Sequence, residues 1–387
     1  MGYTKDMDCF RDVDVLACKK VEMKQSGLSI CTLNFKSLSI ESFFSPKHPQ
    51  IVDVSRNHIQ IFEDSTAENN EFCYPVFLPE GTKKYSKVII LLHGLNERTW
   101  TKYLPWANQL AKSTGSAIIL FPISYHINRA PKEWSDPRIM VQYSLKRSRM
   151  DKTASFANVA LSERLNSTPS RFFYSGMQSA EDLISLFHMI REGNHPYIQK
   201  QAGVNFFAYS IGAFLAQVLF LANPYSLFSD SRLFMFSGGA FFNRMNGVSK
   251  LIMDQSAFRK VYDYYTDDFE CEANRDTRLG QFLSENRLAM AFRSMIDANR
   301  LRDFRNDLFS KFKDQIYAIS LLKDLVIPAT GVSEFFRQIG SKNIEMVEFA
   351  YPYSHEQPFP IIGRPSISHA ADGGFNHVFK RAASFLG

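Results

Sequence analysis

A serine stands at the corner between a strand pattern and a helix pattern. Residues Val204 to Ala208 form an apolar run, Tyr209 to Gly212 form a corner that contains Ser210, and Ala213 to Ala222 are apolar over about three helical turns. Ala208 and Gly212 are the small residues near Ser210. At such a corner the serine hydroxyl is pushed out of the backbone, and small neighbours let the strand and the helix pack closely. The stretch predicts a nucleophile elbow, whose serine can attack an acyl carbon.

Two other interpretations of this stretch stay open. No charged residue occurs from Gln201 to Ser229, which suits a membrane-spanning helix, but Gln217 interrupts the run and we predict no membrane span. Alternatively, Ser210 is only a small turn residue between a buried strand and a core helix. The G-x-S-x-G motif is also imperfect, because Ala208 stands in place of its first glycine.

The elements around this corner alternate between strand and helix patterns. Val88 to Leu92 is apolar on both faces, which predicts a strand in the middle of a sheet. Further strands are predicted at Ala117 to Phe121, Leu233 to Phe236, Ile316 to Ile319 and Ile344 to Ala350. Segments with apolar residues at helical spacing lie between most of these strands. The alternation predicts an α/β fold with a mostly parallel central sheet and helices on both faces.

Two local patterns add detail to this sheet. His58 to Phe62 and Phe72 to Leu78 predict two strands of an antiparallel hairpin. A helix is predicted from near Ser179 to Gly193, with Asp182 as an acidic cap at its start.

The pattern changes between the later strands. From Asn243 to Lys313 the chain is charged and amphipathic, which predicts a helical insertion. We therefore expect an N-terminal extension of residues 1–55, a core of residues 56–242 and 316–387, and a helical cap of residues 243–315.

With these elements in place, the chain resembles the α/β-hydrolase superfamily from about His58 to its end. Four pieces carry the resemblance, in the superfamily's order of serine, acid and histidine: V-I-I-L-L-H-G-L (88–95), A-Y-S-I-G (208–212), K-D-L-V-I-P (323–328) and Y-S-H-E (353–356). The resemblance implies a central sheet of α/β-hydrolase type, with the active site at the carboxyl ends of the strands.

The roles that such a site requires can be given to five residues. A serine hydroxyl needs a base, the base needs an acid that fixes its tautomer, and the developing oxyanion needs preorganised donors. We assign Ser210 as nucleophile, His355 as base and Asp324 as acid. The backbone N–H groups of Ile211 and Leu95 are expected to form the oxyanion hole.

Some of these assignments have alternatives. His369 and His377 lie downstream of His355 and could supply the base instead. Asp324 could be a turn-forming residue before a strand that ends at a proline.

The remaining histidines and the cysteines do not predict a metal site. The nine His and five Cys contain no H-E-x-x-H, H-x-x-x-H or C-x-x-C, and phosphate-binding glycine motifs are absent, so we predict no metal and no cofactor. The resemblance implies a structural role for His93. His126 could line the cleft or be a solvated loop histidine.

Charge and cysteine usage limit the partners and the compartment. The chain has 387 residues and a net charge of +6, from 45 Lys and Arg against 39 Asp and Glu. It contains no block of five or more like charges, which disfavours a nucleic-acid partner. No secretory pattern begins the chain and the five cysteines are scattered, so we expect a cytoplasmic protein.

These observations predict a serine hydrolase that cleaves an ester or related acyl bond of a small molecule through an acyl-serine intermediate. The same triad could serve an acyltransferase, a peptidase or a lactonase. A hydrolase-like protein that binds a ligand without catalysis is the alternative from another class.

Overall fold

One sheet forms the centre of the molecule. The computed structural model describes residues 2–17, 19–23, 26–37, 66–275, 277–361 and 365–387. The strands of the sheet are β1 (Lys20–Met23), β2 (Leu28–Lys36), β3 (Glu71–Pro79), β4 (Tyr85–Leu92), β5 (Ala117–Leu120), β6 (Ile198–Tyr209), β7 (Leu233–Phe236), β8 (Ile316–Leu321) and β9 (Ile344–Val347). Their order across the sheet is β1-β2-β3-β5-β4-β6-β7-β8-β9.

The sheet is antiparallel at one edge and parallel elsewhere. β1, β2, β3 and β5 pair antiparallel, whereas β5, β4, β6, β7, β8 and β9 pair parallel in that order. This confirms the predicted α/β fold with a mostly parallel central sheet. The carboxyl ends of the parallel strands therefore meet along one edge.

Helices cover both faces of the sheet. Along β4, Val88, Ile90 and Leu92 belong to one hydrophobic cluster, while Ile89 and Leu91 belong to another, because successive side chains of a strand point to opposite faces. The helices are α1 (Tyr3–Phe10), α2 (Ala67–Asn70), α3 (Tyr103–Thr114), α4 (Pro137–Ser148), α5 (Val159–Ser167), α6 (Arg171–Arg191), α7 (Ile211–Ala222), α8 (Gln255–Asp263), α9 (Phe269–Arg275), α10 (Thr277–Glu285), α11 (Arg287–Ser294), α12 (Arg302–Ser310), α13 (Ala329–Gln338) and α14 (Pro365–Leu386).

The N-terminal segment contributes to this architecture. β2 pairs with β3 along its whole length, from Leu28 opposite Pro79 to Lys36 opposite Glu71. The predicted strand from His58 to Phe62 lies outside the described residues, and the described antiparallel partner of β3 on this side is β2.

The helix before the serine corner differs from its prediction. α6 begins at Arg171, eight residues before Ser179, and Asp182 lies inside it instead of capping it. The Asp182 carboxylate is buried, binds the guanidinium of Arg129 at 2.8 Å and accepts a hydrogen bond from Ser37 Oγ at 2.7 Å. The predicted acidic cap is wrong because this carboxylate serves as the partner of a buried cation that is distant in sequence.

Between β7 and β8 the chain forms helices α8 to α12. Among all the helices described, none is both long enough and apolar enough to cross a membrane.

Candidate active site

Ser210 occupies a strained corner between β6 and α7. Its backbone has φ 57° and ψ −121°, a conformation that L-residues adopt only where the surrounding structure imposes it. A Cβ on Gly212 would lie 2.8 Å from the carbonyl oxygen of His93, so only glycine allows α7 to approach β4 this closely. Ala208 is fully buried in β6, where its methyl group packs in the core. The corner therefore accepts alanine at the position of the first motif glycine.

The structure brings Ser210, His355 and Asp324 together. Ser210 Oγ lies 2.7 Å from His355 Nε2, and His355 Nδ1 lies 2.7 Å from Asp324 Oδ2. Each of the three residues is only 3% exposed. In this arrangement the imidazole can take the hydroxyl proton through Nε2 while its Nδ1–H donates to the carboxylate.

Asp324 also acts as a turn residue. Its Oδ1 accepts the backbone N–H groups of Val326 and Ile327, both at 2.8 Å, while Oδ2 faces His355. The two sequence interpretations of Asp324 are therefore compatible, since one oxygen forms the turn and the other contacts the imidazole. The turn fixes the orientation of the carboxylate.

The two expected oxyanion-hole residues flank Ser210. Ile211 is the first residue of α7, and Leu95 follows the His93-Gly94 turn after β4. Both residues line a small apolar pocket together with Ser210. Among the described residues, neither backbone N–H is used in a hydrogen bond within the protein. Two donors at a helix start and a turn can thus serve a developing oxyanion.

His93 supports the turn before Leu95. Its Nδ1–H lies 2.8 Å from the carbonyl oxygen of Gly94, and its Nε2 accepts the N–H of Ile123 at 2.9 Å. Burial holds the pKa of His93 well below its usual range, so the ring stays neutral at neutral pH. It holds two loops in place.

His126 is a buried residue. Its Nδ1–H donates to the carbonyl oxygen of Ser124 at 2.8 Å, and burial lowers its pKa to about 4. The ring lines an apolar pocket beside Leu95 and Ile211. The interpretation of His126 as a solvated loop histidine is therefore wrong.

The other two candidate bases lie on the surface. His377 is on α14, and its Nε2 is 2.6 Å from Glu345 Oε1 at the edge of the sheet. His369 is exposed on the same helix. Of the three histidines considered from the sequence, the structure brings His355 into contact with Ser210.

A pocket of about 440 Å³, with both polar and apolar lining residues, opens at Ser210 and His355. It is lined in part by Glu97, Arg98 and Lys102, which follow the His93-Gly94 turn, and by Tyr3 from α1. Sequence reasoning missed these four residues. The charged run directly after the H-G turn was the available signal for three of them, whereas nothing in the sequence connects Tyr3 with this pocket.

The described part of the chain contains no group of three or more His, Cys, Asp or Glu side chains that could hold a metal ion.

Solved structures similar to this chain include two esterases and a peptidase. A cold-adapted esterase from an Arctic intertidal metagenomic library has a TM-score of 0.44 at 9% identity, with 95% of this chain and 98% of that chain covered. A thermostable esterase from Pseudomonas putida has a TM-score of 0.46 at 10% identity, with 100% of this chain and 88% of that chain covered. An acylaminoacyl peptidase from Pyrococcus horikoshii has a TM-score of 0.40 at 12% identity, with 91% of this chain and 41% of that chain covered. These values are too low to carry a function to this chain.

No curated protein matches the chain. A family model matches residues 2–387 and is described as a family of unknown function, DUF6051. Since this match extends over nearly the whole chain, the protein belongs to the family of unknown function DUF6051.

Proposed function

We propose that this protein is a serine hydrolase that cleaves an ester or related acyl bond of a small molecule. The observation that carries the proposal is the continuous contact from Ser210 Oγ through His355 to Asp324, with 2.7 Å at each step. Nucleophile, base and orienting acid within hydrogen-bond reach are the requirements for an activated serine.

The proposed reaction uses the chain's own groups and water. His355 takes the Ser210 proton as Oγ bonds to the acyl carbon, and the N–H groups of Leu95 and Ile211 stabilise the resulting oxyanion. His355 then gives the proton to the leaving alcohol as the bond to it breaks. A water molecule, deprotonated by the same imidazole, releases the acid and restores Ser210.

We also propose that residues 243–315 form a cap over this site. Ile252, Met253, Phe258 and Val261 belong to this segment and line the small apolar pocket that also contains Ser210. Such a pocket suits an apolar group of the substrate.

For the compartment we propose the cytoplasm. The free thiols of Cys31, Cys73 and Cys271 support a reducing environment.

A fluorophosphonate probe tests the proposed reaction directly. We expect the native protein to be labelled at Ser210, as read from the mass of the peptide that contains it, and Ser210→Ala to remain unlabelled. Ser237→Ala is a matched control, because Ser237 is a buried serine after the neighbouring strand β7 and should leave labelling unchanged. If the native protein is not labelled, the result favours the alternative that the protein binds a ligand without catalysis.

A further inference from the structure

Arg98 lies in the wall of the proposed active site, and no anionic side chain of the described residues pairs with it. It lines the 440 Å³ pocket together with Ser210 and His355, and it is partly buried. Within the described residues, no carboxylate forms an ion pair or a hydrogen bond with its guanidinium. Its guanidinium carbon lies 5.2 Å from the centroid of the Trp134 ring.

Glu97 and Glu356 line the same pocket, and both carboxylates already have partners. Glu97 forms an ion pair with Lys102 and accepts a hydrogen bond from Tyr103 at 2.7 Å. Glu356 accepts a hydrogen bond from the hydroxyl of Ser249. Neither of these acids is within ion-pair distance of Arg98.

Arg98 also borders a second pocket, on the side of the N-terminal segment, which contains Asp12 and Asp14. The Asp14 carboxylate accepts the backbone N–H groups of Leu16 and Ala17, at 3.0 and 3.2 Å. In the described chain, neither aspartate pairs with Arg98. The guanidinium therefore remains uncompensated on both sides.

Such an arrangement is costly unless a ligand completes it. A guanidinium removed from water loses hydration, and no fixed negative charge replaces it here. Burial lowers the pKa of Arg98 to about 10, so the group is still charged at neutral pH. Exceptions to charge pairing are expected where function requires them.

We propose that Arg98 binds a carboxylate of the substrate, so that the esters cleaved at Ser210 carry an anionic group. The inference deepens the proposed hydrolase function and rests on it. The planar guanidinium presents two parallel N–H donors that match a carboxylate, whereas a hydrophobic ester leaves these donors unsatisfied.

The shape of the site agrees with a substrate that has two different ends. The pocket of Arg98 has about 440 Å³, within the range of small-molecule sites, and charged side chains line part of it. The pocket on the Leu95 and Ile211 side is small and apolar. The carboxylate end would occupy the first pocket, and an apolar end would occupy the second.

Kinetics with matched esters test the proposal. Phenyl hemiglutarate against phenyl pentanoate places the carboxylate on the acyl side, and 4-butyryloxybenzoate against 4-butyryloxybenzamide places it on the alcohol side. We expect kcat/KM to favour the anionic ester by about tenfold or more in at least one pair, as the loss of a charge-assisted hydrogen bond predicts. A ratio near one in both pairs would overturn the proposal.

Substitutions of Arg98 test whether this residue causes the preference for anionic esters. Arg98→Met should lower the anionic-to-neutral ratio by about ten- to a hundredfold, and Arg98→Lys should keep part of it because the charge remains without the planar fork. The ratio is internal to each variant, so a general loss of folded protein cancels. Arg149→Met is the control, since Arg149 is exposed directly after α4 and does not line this pocket, so that the ratio should be unchanged.

Binding to Ser210→Ala protein provides a measurement that needs no turnover. We expect calorimetry to show tighter binding of 4-phenylbutyrate than of 4-phenylbutyramide, and Arg98→Met in the same background to abolish the difference. Equal binding of acid and amide, in a protein whose native form is labelled by the fluorophosphonate, would reject the anion site and keep the hydrolase. Arg98-dependent binding in a protein that is not labelled would keep the anion site and reject the hydrolase.

Discussion

The ring of Tyr209 stacks on the imidazole of His355, with the ring centroids 5.4 Å apart and an angle of 19° between the ring planes. The Tyr209 hydroxyl also donates a hydrogen bond to the backbone carbonyl of His355. Burial raises the pKa of Tyr209 well above its ordinary value, so the hydroxyl stays protonated and remains a donor. The residue before the proposed nucleophile therefore holds the loop that carries the proposed base.

Tyr209→Phe tests this positioning role. The variant keeps the stacked ring but leaves the buried carbonyl of His355 without its donor, which costs about 1–3 kcal/mol. We expect kcat on a neutral ester to fall by about tenfold with little change in KM. The acidic limb of the pH profile should remain, because His355 is still present. An unchanged kcat would mean that stacking alone positions the loop.

Two substitutions of Ser210 separate chemistry from backbone strain. Both Ser210→Ala and Ser210→Gly should lose turnover by about a million-fold, as removal of a triad nucleophile does. Because Ser210 has φ 57°, glycine should relieve strain that alanine retains, and we expect the glycine variant to be about 1 kcal/mol more stable. Urea unfolding of the two variants measures the difference. If Ser210→Gly is less stable than Ser210→Ala, the backbone at residue 210 is not strained.

Asp324 serves the turn and the imidazole with different oxygens, and two variants distinguish these roles. Asp324→Asn retains an acceptor for the N–H groups of Val326 and Ile327, so stability should change little while kcat drops by about four orders of magnitude. Asp324→Ala should lose the same activity and also about 1–3 kcal/mol of stability. Turnover and unfolding measured on the same preparations test this pair, and full activity of Asp324→Asn would reject the acid assignment.

His355→Ala and His377→Ala compare the two leading candidate bases. Loss of His355 should reduce kcat nearly as much as loss of Ser210, and the double variant should be no worse, because triad members act as a unit. His377 pairs with Glu345 at the surface, so His377→Ala should retain kcat within about tenfold. The acidic limb of the pH profile should disappear only with His355. The opposite ranking of the two variants would move the base to His377.

Buried histidines predict loss of stability in acid. Burial lowers the pKa of both His126 and His195 from 6.5 to about 4 in the folded protein. The unfolded chain therefore takes up protons first, so this stability is present above about pH 6.5 and is lost as the pH falls towards 4. From about pH 7 to about pH 5, each histidine should cost about 2 kcal/mol in the free energy of unfolding.

His195→Gln provides the check on this pH dependence. Between the two pH values, the variant should lose less free energy of unfolding than the native protein, by the contribution of one histidine. Urea unfolding at both pH values measures this difference. His195 lies before β6, away from Ser210, so esterase activity at neutral pH should serve as its control. An equal loss in variant and native protein would assign the acid sensitivity to other groups.

The sequence alone was enough to predict the parallel strands of the sheet and the order of the candidate catalytic residues along the chain. Apolar runs of strand length and apolar periodicity are local patterns, and they predicted the parallel strands, the corner at Ser210 and the helix after it. The same patterns showed that Asp324 and His355 follow strands. Local patterns assigned Asp182 incorrectly as the cap of α6, because its partner is Arg129, which lies 53 residues away in sequence.

Only the tertiary structure decided which of these residues meet. Ser210 and His355 are 145 residues apart, and they make contact because β6, β7, β8 and β9 lie side by side and parallel, so that their carboxyl ends share one edge. That order of strands leaves His377 on a surface helix. It also brings Tyr3 of the N-terminal helix and Arg98 to the same pocket. Such contacts between distant segments depend on how the sheet is assembled and not on the spacing of residues along the chain.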